Sequence, residues 1–317
     1  MMRGRFAPSP TGRMHLGNAR SALLGWLQAR AAGGRFLVRV EDLDRARCRP
    51  EHVQVLWEDL RWLGLDWDEP PLFQSAREEA GAYREALERL SREGRIYPCF
   101  CTRAEVARAA SAPHGPFDDG PRYPGTCAHL STAQAEARAR TRAPALRFRV
   151  PEGTRVRFVD GVHGAVEQDV AQAVGDFVVR RNDGVASYQL AVVADDAASG
   201  ITHVLRGDDL LGSTPRQLLL FEALGHAPPP AYAHVPLVLG EDGKRLAKRE
   251  GAFALADLRA RGLPPERALG LLALWSGLGD GSPVSAAELV ERFSLERLPR
   301  APVTALQAQL EAALGWD

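Results

Sequence analysis

Three groups of residues carry types and spacings that could do chemistry. The first is His15-Leu16-Gly17-Asn18, which follows a Pro-Ser-Pro-Thr-Gly break. Proline fixes φ and glycine frees it, so Arg3–Ala7 is expected as a strand, the break as a tight loop and NARSALLGWLQARAA as a helix. The first turn of such a helix leaves N–H groups without intrahelical partners at the positive end of its dipole, and phosphate suits both. His15 adds a side-chain donor there, and Gly17 permits close backbone approach. An ordinary βα turn shares this spacing.

The second group is a pair of lysines. Of the 40 Lys and Arg residues only Lys244 and Lys248 are Lys, leaving 38 (40 − 2) Arg. The chain uses a guanidinium almost everywhere, and a compact ammonium does not replace one at every site. A loop that keeps both lysines reads as a place where only Lys serves.

Cys99, Cys101 and Cys127 form the third group. Thiolates so placed suit tetrahedral Zn²⁺, which would pin a module with little core of its own. Tyr123, His129 and His114 are candidates for a fourth ligand, and ligand chemistry alone favours His129. Free buried thiols are the alternative. Cys48 stands apart and reads as unligated.

The elements that must position these groups follow from pattern. Arg35–Val40 is a continuous strand that delivers Glu41, Asp42 and Asp44 at its carboxyl end, where open parallel sheets bind ligands. Either Glu41 holds an ammonium, such as an α-amino group, or Glu41 or Asp42 simply caps the following turn. Helical periodicity covers Pro50–Leu63 and Ala76–Glu93, with core-forming faces. From Tyr97 to about Arg157 the chain is rich in Pro and Gly, as an inserted module would be. That stretch carries ten Arg against five acidic residues between Arg103 and Arg157, so it is a landing surface for a phosphate backbone or a solvated face.

Gly175–Val193 reads as two strands around an Asn-Asp-Gly turn that return the chain to the sheet. A strand through Val204–Leu205 ends at Arg206-Gly207-Asp208, and Ser213 or Thr214 with Pro215 starts a helix. AHVPLVL is another strand. Helices are expected at Leu255–Arg261, Pro264–Ser276, Ser285–Arg292 and Val303–Leu314. Arg5 and Arg206 lie at strand ends facing one crevice. A guanidinium grips a carboxylate bidentately, so a pocket lined by both suits glutamate better than glutamine.

Composition bounds the rest. The 317 residues suffice for one large domain or two ordinary ones, and 40 basic residues balance 40 acidic ones, so net charge points to no partner. The N-terminus lacks the apolar run of a secretory signal, and the longest apolar stretch, Ala268–Trp275, is too short to span a bilayer. Four cysteines do not make a disulfide framework in a chain of this size. A cytoplasmic protein is expected.

RFAPSPTGRMHLGNAR resembles the signature loop of class I aminoacyl-tRNA synthetases, with Asn18 in place of the usual final His. Its setting is similar to the glutamyl branch, as are YQLA-x-V-x-DD and LRG-x-D further on. Arg245-Leu246-Ala247-Lys248-Arg249 resembles the second signature, Lys-Leu-Ser-Lys-Arg. Arg245 replaces its first Lys, and Lys244 just upstream could partly cover that change; Ala247 replaces Ser. Cys99, Cys101, Tyr123 and Cys127 fit the Cys-x-Cys…Tyr-x-x-x-Cys zinc set of truncated glutamyl-synthetase paralogues, the glutamyl-queuosine tRNA(Asp) synthetases, which points to Tyr123 over His129.

The resemblance implies an α/β fold: a Rossmann-like catalytic domain with a parallel sheet and helices on both faces, an inserted zinc module and a short helical C-terminal domain. Residues 1–96 and 175–240 would be the two catalytic halves, 97–174 the insert and 241–317 the lysine loop and helices, with no anticodon-binding domain. It assigns Arg5, Phe6, Ala7, Pro8, Ser9, Glu41, Tyr188 and Arg206 to L-glutamate. It assigns His15, Gly17, Asn18, Arg245, Leu246, Ala247 and Lys248 to ATP, with His15 and Lys248 catalytic. One structural Zn²⁺ and Mg²⁺ with ATP are implied, as is a monomer that glutamylates queuosine in the tRNA(Asp) anticodon stem-loop. The rivals are a short synthetase charging a tRNA 3′ end, a nucleotidyltransferase without tRNA, and a catalytically silent RNA-binding module.

Overall fold

Two strands on either side of one buried helix begin the chain. Arg3–Phe6 (β1) and Arg35–Val40 (β2) pair in parallel, with Arg5 opposite Leu37. The sixteen-residue helix Leu16–Ala31 (α1) crosses between them. Leu23, Leu24 and Leu27 are fully buried and Trp26 nearly so, because α1 is apolar on more than one face and is covered all round. The structure, a computed structural model, describes residues 1–109, 122–244, 246 and 254–314.

Leu72–Phe73 (β3) extends the sheet beyond β2. Ile96–Cys99 (β4) and Ala145–Phe148 (β5) pair antiparallel. Arg155–Asp160 (β6) and Gly164–Asp169 (β7) form a hairpin, and Phe177–Arg180 (β8) pairs with β5. His203–Gly207 (β9) and Ala231–Val235 (β10) lie parallel. Val238–Gly240 (β11) pairs with Val303–Ala305 (β12).

The result is a seven-stranded sheet in the order β3-β2-β1-β9-β10-β6-β7, beside sheets of three strands (β4-β5-β8) and two (β11-β12). Among the described residues, only the β6–β7 pairing in the large sheet is antiparallel. Carboxyl ends of β1, β2, β9 and β10 therefore open on one edge, where a parallel sheet collects ligand-binding groups. The largest core packs α1 against Phe36, Leu60 and the buried Trp275 of the C-terminal helices. A second gathers Tyr83, Phe177, Leu190 and Phe221, and a small third holds Tyr97, Phe100 and Tyr123 with Cys99 and Cys127. Among the described residues, no helix is long and apolar enough to cross a membrane.

Several sequence expectations change here. The second strand expected before Val193 is the helix Tyr188–Ala198, started by Ser187, whose hydroxyl accepts the Leu190 N–H at 3.5 Å. Leu190 and Val193 on one face bury it in the second core, and β8 joins the three-stranded sheet, not the large one. The helix expected over Ala76–Glu93 is broken at Gly81, whose φ of 83° favours glycine. Pro236 divides AHVPLVL, because it has no N–H for a sheet ladder, so β10 and β11 belong to different sheets. Val303–Ala305 is a strand, and the last helix runs Gln307–Leu314.

Candidate active site

Charge is concentrated at the carboxyl edge of the sheet. Arg5 on β1 and Arg39 on β2 both reach Asp196, on the helix Tyr188–Ala198; the Arg5 Nε contact is 3.4 Å. Arg39 also donates to Glu41 Oε1 at 3.2 Å. Arg39 and Asp196 side chains are 4% and 3% exposed, so the pair is an interior one. Its neighbour Asp195, also buried, accepts from Gln74 Nε2 at 2.9 Å, the Tyr83 hydroxyl at 2.8 Å and Arg77 Nε at 3.1 Å.

Arg206, at the end of β9, completes the group. Its NH2 donates to Thr214 Oγ1 at 2.8 Å and Gln217 Oε1 at 2.9 Å, while its NH1 faces the Tyr188 hydroxyl at 3.5 Å. Tyr188 lies within the fields of Arg206, Glu41, Arg5 and Arg39. The structure thus brings Arg5, Glu41, Tyr188 and Arg206 together. Arg39 and Asp196, neither of them an expected site residue, link them. Their signal was available: a charge inside the apolar run RFLVRV, and an Asp-Asp pair ending YQLAVVA.

The fields differ from group to group. Burial pulls Arg5 below its ordinary value, helped by the charges of Arg39 and Arg206 and opposed by Asp196. Burial also opposes the Arg39 charge, but Asp196 and Glu41 outweigh it and hold it above the usual range. Glu41 is pushed up by burial in spite of Arg39. Asp196 is held below the usual carboxylate range, because Arg39 and Arg5 overcome its burial. Four guanidinium groups, Arg5, Arg39, Arg77 and Arg206, against three carboxyl groups, Asp195, Asp196 and Glu41, leave a formal count of one positive charge in excess, which an anionic ligand would neutralise.

The loop after β1 is pinned to this edge. Glu41 N–H donates to Pro8 O at 2.9 Å, and His52 Nδ1 lies 3.1 Å from Pro10 O. Phe6 packs against the main core and Ala7 is half-buried. Exposed Ser9 lines an open cleft of about 1310 Å³ with Glu41 and Tyr188. The same cleft extends to Cys99, Cys101 and Tyr123, past Arg47, Arg103, Arg142, Arg147 and Arg181.

His15 caps α1: its Nδ1 accepts the Asn18 N–H at 3.3 Å. Burial pulls its imidazole below the ordinary value, which favours the neutral acceptor. A Cβ on Gly17 would stand 3.2 Å from His15 Nδ1 and 3.3 Å from its Cε1, so glycine leaves room for that ring. Asn18 is exposed at the same turn. His15 also bridges to Ala254, and Leu255 N–H donates to Met14 O at 2.9 Å, so the chain just beyond the second signature returns to the first. Leu246 is buried in the main core. Arg245, Ala247, Lys248 and His114 lie outside the described residues.

The cysteines converge. The Sγ atoms of Cys99, Cys101 and Cys127 all lie within 4.8 Å of one another, a grouping able to hold a metal ion. The Tyr123 hydroxyl is 3.4 Å from Cys99 Sγ and 3.8 Å from Cys101 Sγ, and Cys101 and Cys127 Sγ are 3.6 Å apart. Ligand atoms on a tetrahedral Zn²⁺ with Zn–S bonds of about 2.3 Å stand roughly 3.8 Å apart, so these spacings fit. His129 is exposed and outside the grouping. Arg147 donates to Cys99 Sγ at 3.2 Å, and its guanidinium carbon lies 3.7 Å from the Tyr123 ring centroid. Burial raises Cys99, but Tyr123 and Arg147 outweigh it and bring the thiol below its ordinary value.

Residues 1–311 match the family described as tRNA synthetases class I (E and Q), catalytic domain. A Symbiobacterium thermophilum protein named Glutamyl-Q tRNA(Asp) synthetase is 55% identical over 99% of this chain and 98% of its own. One of the same name in Nocardia farcinica is 53% identical over 94% of this chain and 91% of its own. The crystal structure of a glutamate-tRNA synthetase from Elizabethkingia anophelis superposes with a TM-score of 0.79 at 26% identity, covering 98% of this chain and 69% of that one.

Proposed function

The chain belongs to the class I tRNA synthetases of the E and Q type, a family of ligases, and on that premise we propose that it activates L-glutamate with ATP and passes it to queuosine at the wobble position of tRNA(Asp). One observation carries the amino-acid part. Arg5 and Arg206 share a site whose counted charge is one positive in excess, and glutamate, with two carboxylates and one ammonium, carries one negative charge. The acceptor is supported by the names of the relatives that span nearly the whole chain.

The α-carboxylate oxygen of glutamate forms a bond to the α-phosphorus of ATP, and pyrophosphate leaves with the electron pair of the broken P–O bond. Arg206 and Arg5 hold the carboxylate groups, Glu41 accepts from the α-ammonium, and Phe6 to Ser9 form the wall beside them. Holding both reactants in line is most of the protein's contribution to such a transfer. The N–H groups opening α1, with His15, Gly17 and Asn18, would meet the nucleotide, and Arg245, Ala247 and Lys248 are assigned to its phosphates, with Leu246 anchoring that stretch in the core. Lys248 is the cation that stabilises the charge growing on the leaving group. Mg²⁺ bound with ATP would supply further neutralisation.

In the second step a queuosine hydroxyl oxygen attacks the glutamyl carbonyl carbon; AMP leaves with the electron pair of the broken acyl C–O bond, and the hydroxyl proton passes to the leaving phosphate or to water. The basic residues along the cleft between Glu41 and the cysteine grouping are suited to the anticodon stem-loop backbone. Cys99, Cys101, Cys127 and Tyr123 would hold one structural Zn²⁺ with no open position. The enzyme would act as a cytoplasmic monomer. A second reading, glutamate charged onto a tRNA 3′ end, is favoured by the likeness to the Elizabethkingia synthetase.

Pyrophosphate exchange into ATP tests the first step. Exchange that requires glutamate and is lost in Lys248→Ala supports the reading. Exchange independent of glutamate contradicts it.

A further inference from the structure

Arg206 rests on a buried pair that the reaction above does not use. His234 on β10 lies opposite Arg206 on β9 and is fully buried, as is the side chain of Asp160 on the other neighbouring strand, β6. Arg206 Nε lies 2.9 Å from His234 Nε2. A guanidinium only donates, so Nε2 must be the bare, accepting nitrogen. The proton of the neutral ring then sits on Nδ1, which is 2.7 Å from Asp160 Oδ2.

Asp160 is itself fixed. Its Oδ1 accepts the backbone N–H groups of Val162 at 2.9 Å and His163 at 3.0 Å, and its Oδ2 that of His234 at 3.1 Å. Burial pushes the carboxyl up, but His234 and these N–H groups outweigh it and keep it ionised. Burial pulls the imidazole down to about 4 against the pull of Asp160, so the ring is neutral near pH 7.

Of the five Arg206 N–H donors, Nε–H is held by His234 and those on NH2 by Thr214, Gln217 and, at 3.4 Å, Leu210 O. The NH1 edge is left facing the Tyr188 hydroxyl at 3.5 Å, and Tyr188 lines the cleft. We propose that Asp160 and His234 are positioning residues for Arg206: by locking the imidazole as its Nδ1–H tautomer, they aim the NH1 edge at a carboxylate of the amino acid. The proposal rests on the glutamate reading for the identity of that ligand, but the tautomer is a property of the protein alone.

Asp160→Asn separates the idea from simple packing. The new amide can donate to Nδ1, which moves the ring proton to Nε2, between the Thr214 hydroxyl at 3.2 Å and the Arg206 Nε–H, and the guanidinium then loses its Nε acceptor. Exchange kinetics should show the glutamate KM raised about tenfold or more, with kcat and the ATP KM within about twofold. His234→Gln, which can still offer an acceptor to Nε, should recover much of that loss, and His234→Leu should not. Nitrogen-15 NMR of the native protein should show His234 protonated on Nδ1.

A proton on Nε2 in the native protein overturns the proposal. So does a folded Asp160→Asn with native glutamate KM, or a His234→Leu that matches His234→Gln. If Asp160→Asn does not fold, the NMR result and the His234 pair decide. Glutamate-independent exchange by the native protein would sink the glutamate reading and leave the tautomer to be judged by NMR.

Discussion

Arg39 and Asp196 form an ion pair inside the protein, and each serves a second charged residue: Arg39 donates to Glu41 at 3.2 Å and Asp196 accepts from Arg5 at 3.4 Å. Two strands and a helix are thereby joined through four charged side chains at the edge where the amino acid is proposed to bind. Removing one member strands the others away from water, which costs more than an exposed pair would lose.

Asp196→Asn should therefore destabilise the fold by about 3–5 kcal/mol, read from the urea midpoint. Arg39 and Arg5 hold Asp196 below its ordinary 3.8 despite burial, so its contribution is present above about pH 3.8 and is lost as the pH falls below that value. An Asp196→Asn protein as stable as the native one would remove the pair from the account.

His234 adds a second acid-sensitive element. Its folded value of about 4 lies below the ordinary 6.5, so the unfolded chain takes up this proton first as the pH falls. Stability from this group is complete above pH 6.5 and declines between 6.5 and about 4, by a total on the order of 3 kcal/mol. Its surroundings are Asp160, which raises the value, and Arg206 and His163, which lower it. His234→Gln should flatten that part of the urea-midpoint profile; an unchanged slope would show that another group is responsible.

Arg206→Gln should raise the glutamate KM about a hundredfold, the equivalent of roughly 3 kcal/mol for a charge-assisted contact, with a much smaller change in the ATP KM. Steady-state pyrophosphate exchange checks both, and equal changes in the two would mean that Arg206 does not face the amino acid.

Gly17→Ala tests the opening of α1. The added Cβ would crowd the His15 ring at 3.2 Å and disturb its bond to Asn18 N–H. Loss of a helix cap costs about 1 kcal/mol, and the exchange rate should fall at least about tenfold if His15 sits where the nucleotide is proposed to bind. Native rate and stability together would contradict this placement.

How much of this was legible in the sequence depends on whether the signal was local. The Pro-Ser-Pro-Thr-Gly break announced β1, the loop and α1, and the apolar RFLVRV announced β2, because turn chemistry and strand patterning are short-range. Tyr188–Ala198 misled because its apolar run follows a turn signal that suits a hairpin as well; Ser187 and the second core decide for helix. Pro236 was visible, yet that the chain leaves the large sheet there depends on β12, more than sixty residues later. The Asp160–His234–Arg206 line was not legible at all, because it exists only when β6, β10 and β9 lie side by side.

The metal grouping makes its own prediction. The native protein should hold about one zinc per chain after equilibration and desalting, and Cys127→Ser or Tyr123→Phe should weaken that binding at least about tenfold. Metal analysis with a competing chelator reads this directly; Tyr123→Phe with native zinc affinity would exclude the phenol as a ligand.

The most direct measurement is to supply ATP and labelled glutamate with tRNA(Asp) that contains or lacks queuosine, and with tRNA(Glu), then digest and locate the label. Label is expected on the wobble nucleotide of queuosine-containing tRNA(Asp) and on no 3′-terminal adenosine. Label on the 3′ end of tRNA(Glu), with none at the wobble position, would contradict it.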